Sequence, residues 1–305
     1  MVLFISVIID DMKNKTANMY FRERFGCKVY RIALDGGFSC PNRDGKIDTR
    51  GCIFCSGYGS GEFSGNRQLG ITEQIERGKE LVRKKMPEGS DKYIAYFQAF
   101  TGTYAPVDEL KAIYEEAIEH PDVVAVSIAT RPDCLPDDVL DLIEQLNRQK
   151  PVWIELGLQT IHEKTAQYIR RGYPLSVYDD AVKRLSERGI ETITHIILGL
   201  PHETRQDMLQ TVAYVGAGPI SGIKIQLLHV LSGTDLADEY ANGIFECLSM
   251  EEYVDLVRDC IDLLPENIVI HRMTGDGARR NLIAPMWSTD KKRVLNLLKD
   301  KLEKD

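Results

Sequence analysis

Short apolar, β-branched runs alternate along most of this chain with longer amphipathic stretches, the pattern of βα units laid around a parallel sheet. KVYRIAL (28–34) reads as the first strand and DKYIAYFQAF (91–100) as the second, followed by VVAVSIAT (123–130), VWIELGLQT (152–160), ETITHIILGL (191–200) and GIKIQLLHV (222–230). Between them, helices are predicted near Thr72–Lys85, Pro106–Glu119, Pro136–Gln149, His162–Ile169, Ser176–Arg188 and Arg205–Ala217. Six such units predict an incomplete parallel (β/α)6 barrel over residues 28–232. Beyond Gly233 the rhythm changes to a helix near Ser249–Leu264, a strand IVIHR (268–272), a turn-rich run TGDGARRNLIAP and a charged closing helix near Lys291–Lys304. These residues, 233–305, read as a short α/β cap. Residues 1–27 form an N-terminal extension, and its apolar opening MVLFISVIID reads as a short strand or as residues ahead of a start at Met12.

Parallel barrels build their sites at the C-terminal ends of the strands. Those ends here are the Cys40–Cys55 loop, Gln98–Thr103, Thr130–Arg131, Gln159, His195–Pro201 and His229, so polar residues and glycines gather on one face. The chain has 305 residues, 43% of them apolar, enough to bury a sizeable core. The opening apolar run lacks a basic leader, is too short to span a bilayer and runs into Asp10 and Asp11, so no membrane partner is expected. Seven cysteines, an odd number, read as thiols or ligands in a reducing compartment, and the cytoplasm fits. A formal charge of −8 gives no overall attraction to nucleic acid. Basic residues gather at Arg83–Lys85, Arg170–Arg171, Arg279–Arg280 and Lys291–Arg293, and an RNA partner would need the last three clusters to form a patch beside the barrel mouth.

The stretch CPNRDGKIDTRGCIFC (40–55) carries the sharpest chemistry. Cys40, Cys52 and Cys55 stand at C-x11-C-x2-C, a set of three where a closed structural zinc site wants four. Two readings stay open on the residues alone: a zinc site completed by Cys27 or a histidine, or a metal centre that keeps one position free. Phe54 completes a C-x-aromatic-C turn, and with Cys40 it resembles the cluster loop of the radical S-adenosylmethionine superfamily, whose usual spacing is C-x3-C-x2-C. SIATRPDCL (127–135), IELGLQTIHEKTAQYIRRGY (154–173) and THIILGLPHET (194–204) are similar, in order and spacing, to motifs of the Elongator catalytic subunit and, more loosely, of the oxygen-independent coproporphyrinogen oxidases.

The resemblance implies a [4Fe-4S] cluster on Cys40, Cys52 and Cys55, with S-adenosylmethionine on the free iron. It implies that Gln159 and His195 lie near the ribose, that Arg171 meets the methionine carboxylate, and that Phe54, Gln98, Thr101 and Thr103 belong to the cofactor site. It also implies a one-electron donor such as ferredoxin or flavodoxin, reductive cleavage of S-adenosylmethionine and hydrogen abstraction from the substrate. The substrate it suggests is the wobble uridine of tRNA, with its 5-substituent converted from carboxymethylaminomethyl towards aminomethyl. A small metabolite or a tetrapyrrole is the alternative substrate, and a noncatalytic metal-binding protein the alternative class. Thr130 and Arg131 are expected to face the substrate or the cofactor, with a buried salt bridge as the alternative for Arg131, and Trp287 is expected either on a base or packed in the cap.

Overall fold

The computed structural model describes residues 12–83, 90–275, 277 and 279–303. The reading of residues 1–10 as a strand, and Lys84 and Lys85 of one basic cluster, lie outside them. Seven parallel strands form one sheet in chain order: β1 (Tyr30–Leu34), β2 (Tyr93–Phe97), β3 (Val123–Thr130), β4 (Val152–Gln159), β5 (Glu191–Leu198), β6 (Gly222–Leu227) and, past a two-residue β7 (Val230–Leu231), β8 (Val269–Arg272). A short β9 (Leu282–Ala284) pairs antiparallel with β7. The sheet is the curled half-barrel expected, with one strand more. IVIHR, assigned above to the cap, supplies β8 on the open edge of β6, in register Gly222↔Val269 and Lys224↔Arg272.

Ten α-helices are described: α1 (Ala17–Phe25), α2 (Ile71–Arg83), α3 (Val107–Glu119), α4 (Asp137–Asn147), α5 (Glu163–Tyr168), α6 (Leu175–Glu187), α7 (Arg205–Ala217), α8 (Asp235–Ala241), α9 (Met250–Leu263) and α10 (Lys291–Leu302). Their apolar faces pack on the outside of the sheet: Leu110 and Tyr114 of α3, Leu140 and Ile143 of α4, and Val212 of α7 have no exposed surface. The starts of α7 and α9 are set by capping boxes, Thr204 with Asp207 and Ser249 with Glu252. Of the described helices none is long and apolar enough to cross a membrane.

The N-terminal ends of the strands are closed by α1, an element the sequence pattern did not predict. Thr16 caps it, accepting from the Met19 amide, and Phe21 stacks on Trp153 at the start of β4 with ring centroids 5.3 Å apart. Trp153 is 1% exposed, and its indole N–H donates to Glu191 at 2.9 Å. The half-barrel is thus plugged below and open above. Phe21→Ala should destabilise the fold by about 3–5 kcal/mol, the usual cost of a buried aromatic truncation. Chemical denaturation showing a loss under about 1 kcal/mol would mean that α1 is an ornament and not a plug.

Candidate functional site

Strand alternation places Glu155, Gly157 and Gln159 of β4 on the inner face of the sheet, with His195 and Ile197 of β5, Gln226 of β6 and Tyr96 of β2. The register aligns Gly157↔His195, His195↔Lys224 and Lys224↔Arg272 in one rank across four strands. Above them the Cys40–Cys55 loop folds over the strand ends. Cys40, Cys52, Cys55, Phe54, Gln98, Thr101, Gln159, Arg171 and His195 all line one cavity of about 180 Å³. Of the residues expected at the cofactor, Thr103 lies outside it: its hydroxyl is buried against Thr130 Oγ1 and the Cys134 carbonyl, both at 2.5 Å. Glu155, Tyr96, Gln226 and Arg272 of the same cavity escaped the sequence reading.

The eleven residues between Cys40 and Cys52 are folded back on themselves. The amides of Arg43 and Asp44 donate to the Cys40 carbonyl at 2.8 and 3.2 Å, Ile47 to Pro41 at 2.8 Å and Gly51 to Asn42 at 2.7 Å. The long spacing is therefore a surface bulge that returns the chain to a single mouth. Gly51 turns it at φ +78°, and a Cβ there would meet the Arg43 guanidinium at 2.9 Å. That guanidinium donates to the carbonyls of Cys55 and Ser56, each at 2.7 Å. Asn42, 1% exposed, donates to the Arg170 carbonyl at 2.7 Å and lies 3.5 Å from Cys52 Sγ. Burial pushes the Cys52 thiol up to about 12, helped by the nearby Cys55, and burial also raises Cys55. Three thiols lining one mouth, two of them raised by burial, call for a cationic partner that holds them as thiolates.

The donor set fits an iron–sulfur cluster with one open position. A tetrahedral zinc, at about 2.3 Å from sulfur, would draw its ligands to within about 3.8 Å of one another. Among the described residues the three ligand atoms found within 4.8 Å of each other belong to Glu76, His120 and Asp122, at the opposite ends of the strands, and not to the cysteines. Lys79 bridges that acidic group, at 2.8 Å from Glu76 and 2.5 Å from Asp122.

Arginines brace the cavity wall. Arg131 pairs twice with Asp133, at 2.9 and 2.8 Å, and donates to the Arg171 carbonyl at 2.9 Å. Arg171, 1% exposed, donates to the carbonyls of Tyr173 at 3.0 Å and Thr160 at 2.6 Å, and meets Glu163 at 3.3 Å. Arg131 thus takes the salt-bridge reading while still lining the cavity. Non-glycine residues at positive φ collect here too: Ser60, Phe100 and Gln159 line the cavity, and Arg170 offers its carbonyl to Asn42. Such backbone costs on the order of 1–3 kcal/mol each and is kept where neighbours over-determine it. Trp287 packs on Tyr253 and donates to the Leu248 carbonyl, the cap role.

At the floor, Glu155 has no exposed surface. It accepts from Ser127 at 2.7 Å, meets His195 Nε2 at 2.7 Å and Arg31 at 3.6 Å, and is bonded to Lys224. Burial opposes its ionisation, yet Lys224 and Arg31 hold the carboxyl well below its usual range. An ionised Glu155 only accepts, so His195 Nε2 carries the proton and Nδ1 is left as an acceptor. Burial, with Lys224 nearby, lowers His195 to about 4.

The sequence profile of the Radical SAM superfamily matches residues 49–215, and that of the Radical SAM C-terminal domain matches 220–304. This chain belongs to the radical SAM superfamily. It is a radical SAM enzyme, and its cofactors are S-adenosylmethionine and a [4Fe-4S] cluster, supplied with electrons by a one-electron donor. The Bacillus subtilis protein YtqA is 48% identical over 94% of this chain and 89% of its own length. A Methanocaldococcus jannaschii tRNA uridine(34) acetyltransferase is 24% identical over 56% of this chain, which spans 31% of that protein. The solved structure of Methanocaldococcus infernus Elp3 superposes with a TM-score of 0.66 at 16% identity, covering 90% of this chain and 63% of that one, a likeness of fold.

A buried histidine held neutral stabilises the fold where its unfolded counterpart is also neutral, that is, above pH 6.5. Its contribution drains away as the pH falls from there towards 4, because the unfolded chain takes up the proton first. His195→Gln should therefore remove about 3 kcal/mol of the acid-side loss of stability between those values. Urea titrations at pH 7 and 4.5 giving the same loss for both proteins would place His195 in solvent contact.

Proposed function

We propose that this radical SAM enzyme remodels the 5-substituent of the wobble uridine in tRNA, from carboxymethylaminomethyl towards aminomethyl, in the cytoplasm. The observation that carries it is a single chamber in which the three cysteines at the mouth and the polar barrel floor face each other. A base turned out of an anticodon loop fits such a chamber, where hydrogen bonds to its edges can replace stacking. The tRNA uridine(34) acetyltransferase named above supports the choice of substrate, as do the Elongator-like motifs at 127–204.

In this reading Cys40, Cys52 and Cys55 hold the cluster, which when loaded supplies, with S-adenosylmethionine, the reducing power and the radical that starts the reaction. The chain's own residues orient and enclose. His195 Nδ1 accepts from a ribose hydroxyl, Gln159 binds the same sugar, and Gln98 and Thr101 face the amino group with Phe54 beside them. Gln98 is already anchored on the Ser60 carbonyl at 2.8 Å. Arg171 takes the methionine carboxylate by exchanging it for that of Glu163, a half-exposed partner. The rim suits RNA locally despite the net charge: the Arg280 guanidinium lies 5.5 Å over the exposed Tyr58 ring. Arg170 is engaged by Asp235 and Arg171 is buried, so this reading requires Arg279, Arg280 and Lys291–Arg293 to supply the basic patch. The electron donor is a ferredoxin or flavodoxin.

Alanine at Cys40, Cys52 or Cys55 should abolish 5′-deoxyadenosine formation and lower bound iron after anaerobic reconstitution. Undiminished 5′-deoxyadenosine from any one variant removes that cysteine from the site. For the substrate, tRNA from a strain lacking the gene should accumulate carboxymethylaminomethyluridine at the wobble position and lose its aminomethyl descendants. Identical wobble nucleosides in deletion and wild-type strains would overturn the RNA reading in favour of a small metabolite or a tetrapyrrole.

A further inference from the structure

The charges under the cavity do not balance. Arg31 approaches from β1, Tyr96 from β2, Glu155 from β4, His195 from β5, Lys224 from β6, and His271 and Arg272 from β8. Glu155 is the one acid among these described groups. Leaving Arg272 to its own contacts, Arg31 and Lys224 still set two basic groups against one carboxylate. Lys224 is 1% exposed, bonded to Glu155, and 3.1 Å from the Tyr96 hydroxyl. Arg31 shares His271 Nδ1 at 2.8 Å, and its Nε is buried without a partner. Surplus positive charge away from water is costly and is relieved by losing a proton or by admitting an anion. Burial and the adjacent Arg31 draw Lys224 well below its ordinary value while Glu155 holds its proton on, so the ion pair opposes the first form of relief. The second is available, because Glu155, Tyr96, His195 and Arg272 open directly onto the cavity.

We propose that the barrel floor is a receptor for a carboxylate carried by the substrate, lined by Tyr96 and Arg272, backed by Lys224 and Arg31, and rivalled from within by Glu155. This rests on the wobble-uridine reading for the substituent that bears the carboxylate, a carboxymethyl group on nitrogen. The Tyr96 hydroxyl accepts from Lys224 and gives its own proton to Glu155, the internal rival whose place on that hydroxyl an arriving carboxylate would take. An arriving carboxylate finds a charge-assisted donor set already assembled in a desolvated site. Lys224 and Glu155 act here as positioning residues, through Tyr96 and the local field.

The two variants that probe the floor have opposite signs. With the cluster-loaded enzyme and S-adenosylmethionine present, N-benzylglycine should bind about tenfold to a hundredfold more tightly than its methyl ester by calorimetry. Lys224→Met should erase that preference, whereas Glu155→Gln, by removing the internal rival, should strengthen acid binding. A variant that merely folds badly cannot produce the second result. The double variant Lys224→Met/Glu155→Gln, with thermal unfolding as the check on integrity, should show no preference. Equal binding of acid and ester to the wild-type enzyme, no saturable binding of the acid, or weaker acid binding by Glu155→Gln would each overturn the proposal. An anticodon stem-loop bearing carboxymethylaminomethyluridine separates the two readings. If it binds while the fragments show no preference, the RNA reading stands and the carboxylate receptor falls. If the acid fragment is preferred and the stem-loop does not bind, the receptor stands and the RNA reading falls.

Discussion

A carboxylate without exposed surface, shared by a lysine, a histidine and an arginine, is the constraint around which this half-barrel is organised. Replacing buried ion pairs by well-packed apolar residues is often neutral or stabilising, so such a cluster is not explained by stability. Removing a single partner, by contrast, strands a buried charge at a cost of about 3–5 kcal/mol. Glu155 therefore locks β4 to β3 through Ser127, to β5 through His195 and to β6 through Lys224, and makes the inner face polar where a closed barrel fills it with branched apolar side chains. The outer face of the same strands stays apolar: Ile154, Leu156 and Leu158 have no exposure. One strand thus carries a folding face and a chemical face at alternating positions.

The loop above depends on that floor for its purpose and on α5, its following turn and α8 for its shape. A stretch of 36 residues without regular structure separates β1 from α2, long enough to be either functional or disordered. It is ordered because it is tied at both ends and in the middle: the Ile53 amide donates to the Ile169 carbonyl, the Leu236 amide to the Ile53 carbonyl, and Asn42 reaches the Arg170 carbonyl. The Arg131–Arg171 brace passes beneath those contacts, joining the end of β3 to the turn after α5. The cysteine mouth is consequently held by segments far apart in sequence, and the three cysteines line one cavity despite the eleven residues of the first spacing.

Much of this was legible in the sequence, and the failures share a cause. The first six strands and the helices between them follow from period and length, because each βα unit is local. The seventh strand was misassigned since IVIHR sits after a break in rhythm, and only the unpaired edge of β6 tells where it goes. Helix α1 escaped notice because its polar face dominates ANMYFRERF and its anchor, Phe21 on Trp153, is a contact across more than a hundred residues. The spacing singles out Cys40, Cys52 and Cys55, and the three line one cavity. Thr103 is close to Gln98 and Thr101 along the chain, but beyond the turn at Phe100, with φ +58°, its hydroxyl is taken by Thr130 at the end of β3.

Glu155 and Lys224 were missed although a signal was there. Each interrupts a run of apolar residues, WIELGL and GIKIQL, in strands buried on both sides. An ion in such a place is tolerated only when a counter-ion meets it from another strand. Two such interruptions of opposite sign, on strands separated by one neighbour in the sheet, already imply an inward-facing pair spanning β5, and His195 is the residue on β5 that such a pair encloses. Read in that way, the polar interior follows from the cost of burying charge, and the cofactor motifs above it follow from the need to bring a reactive centre to whatever that interior holds.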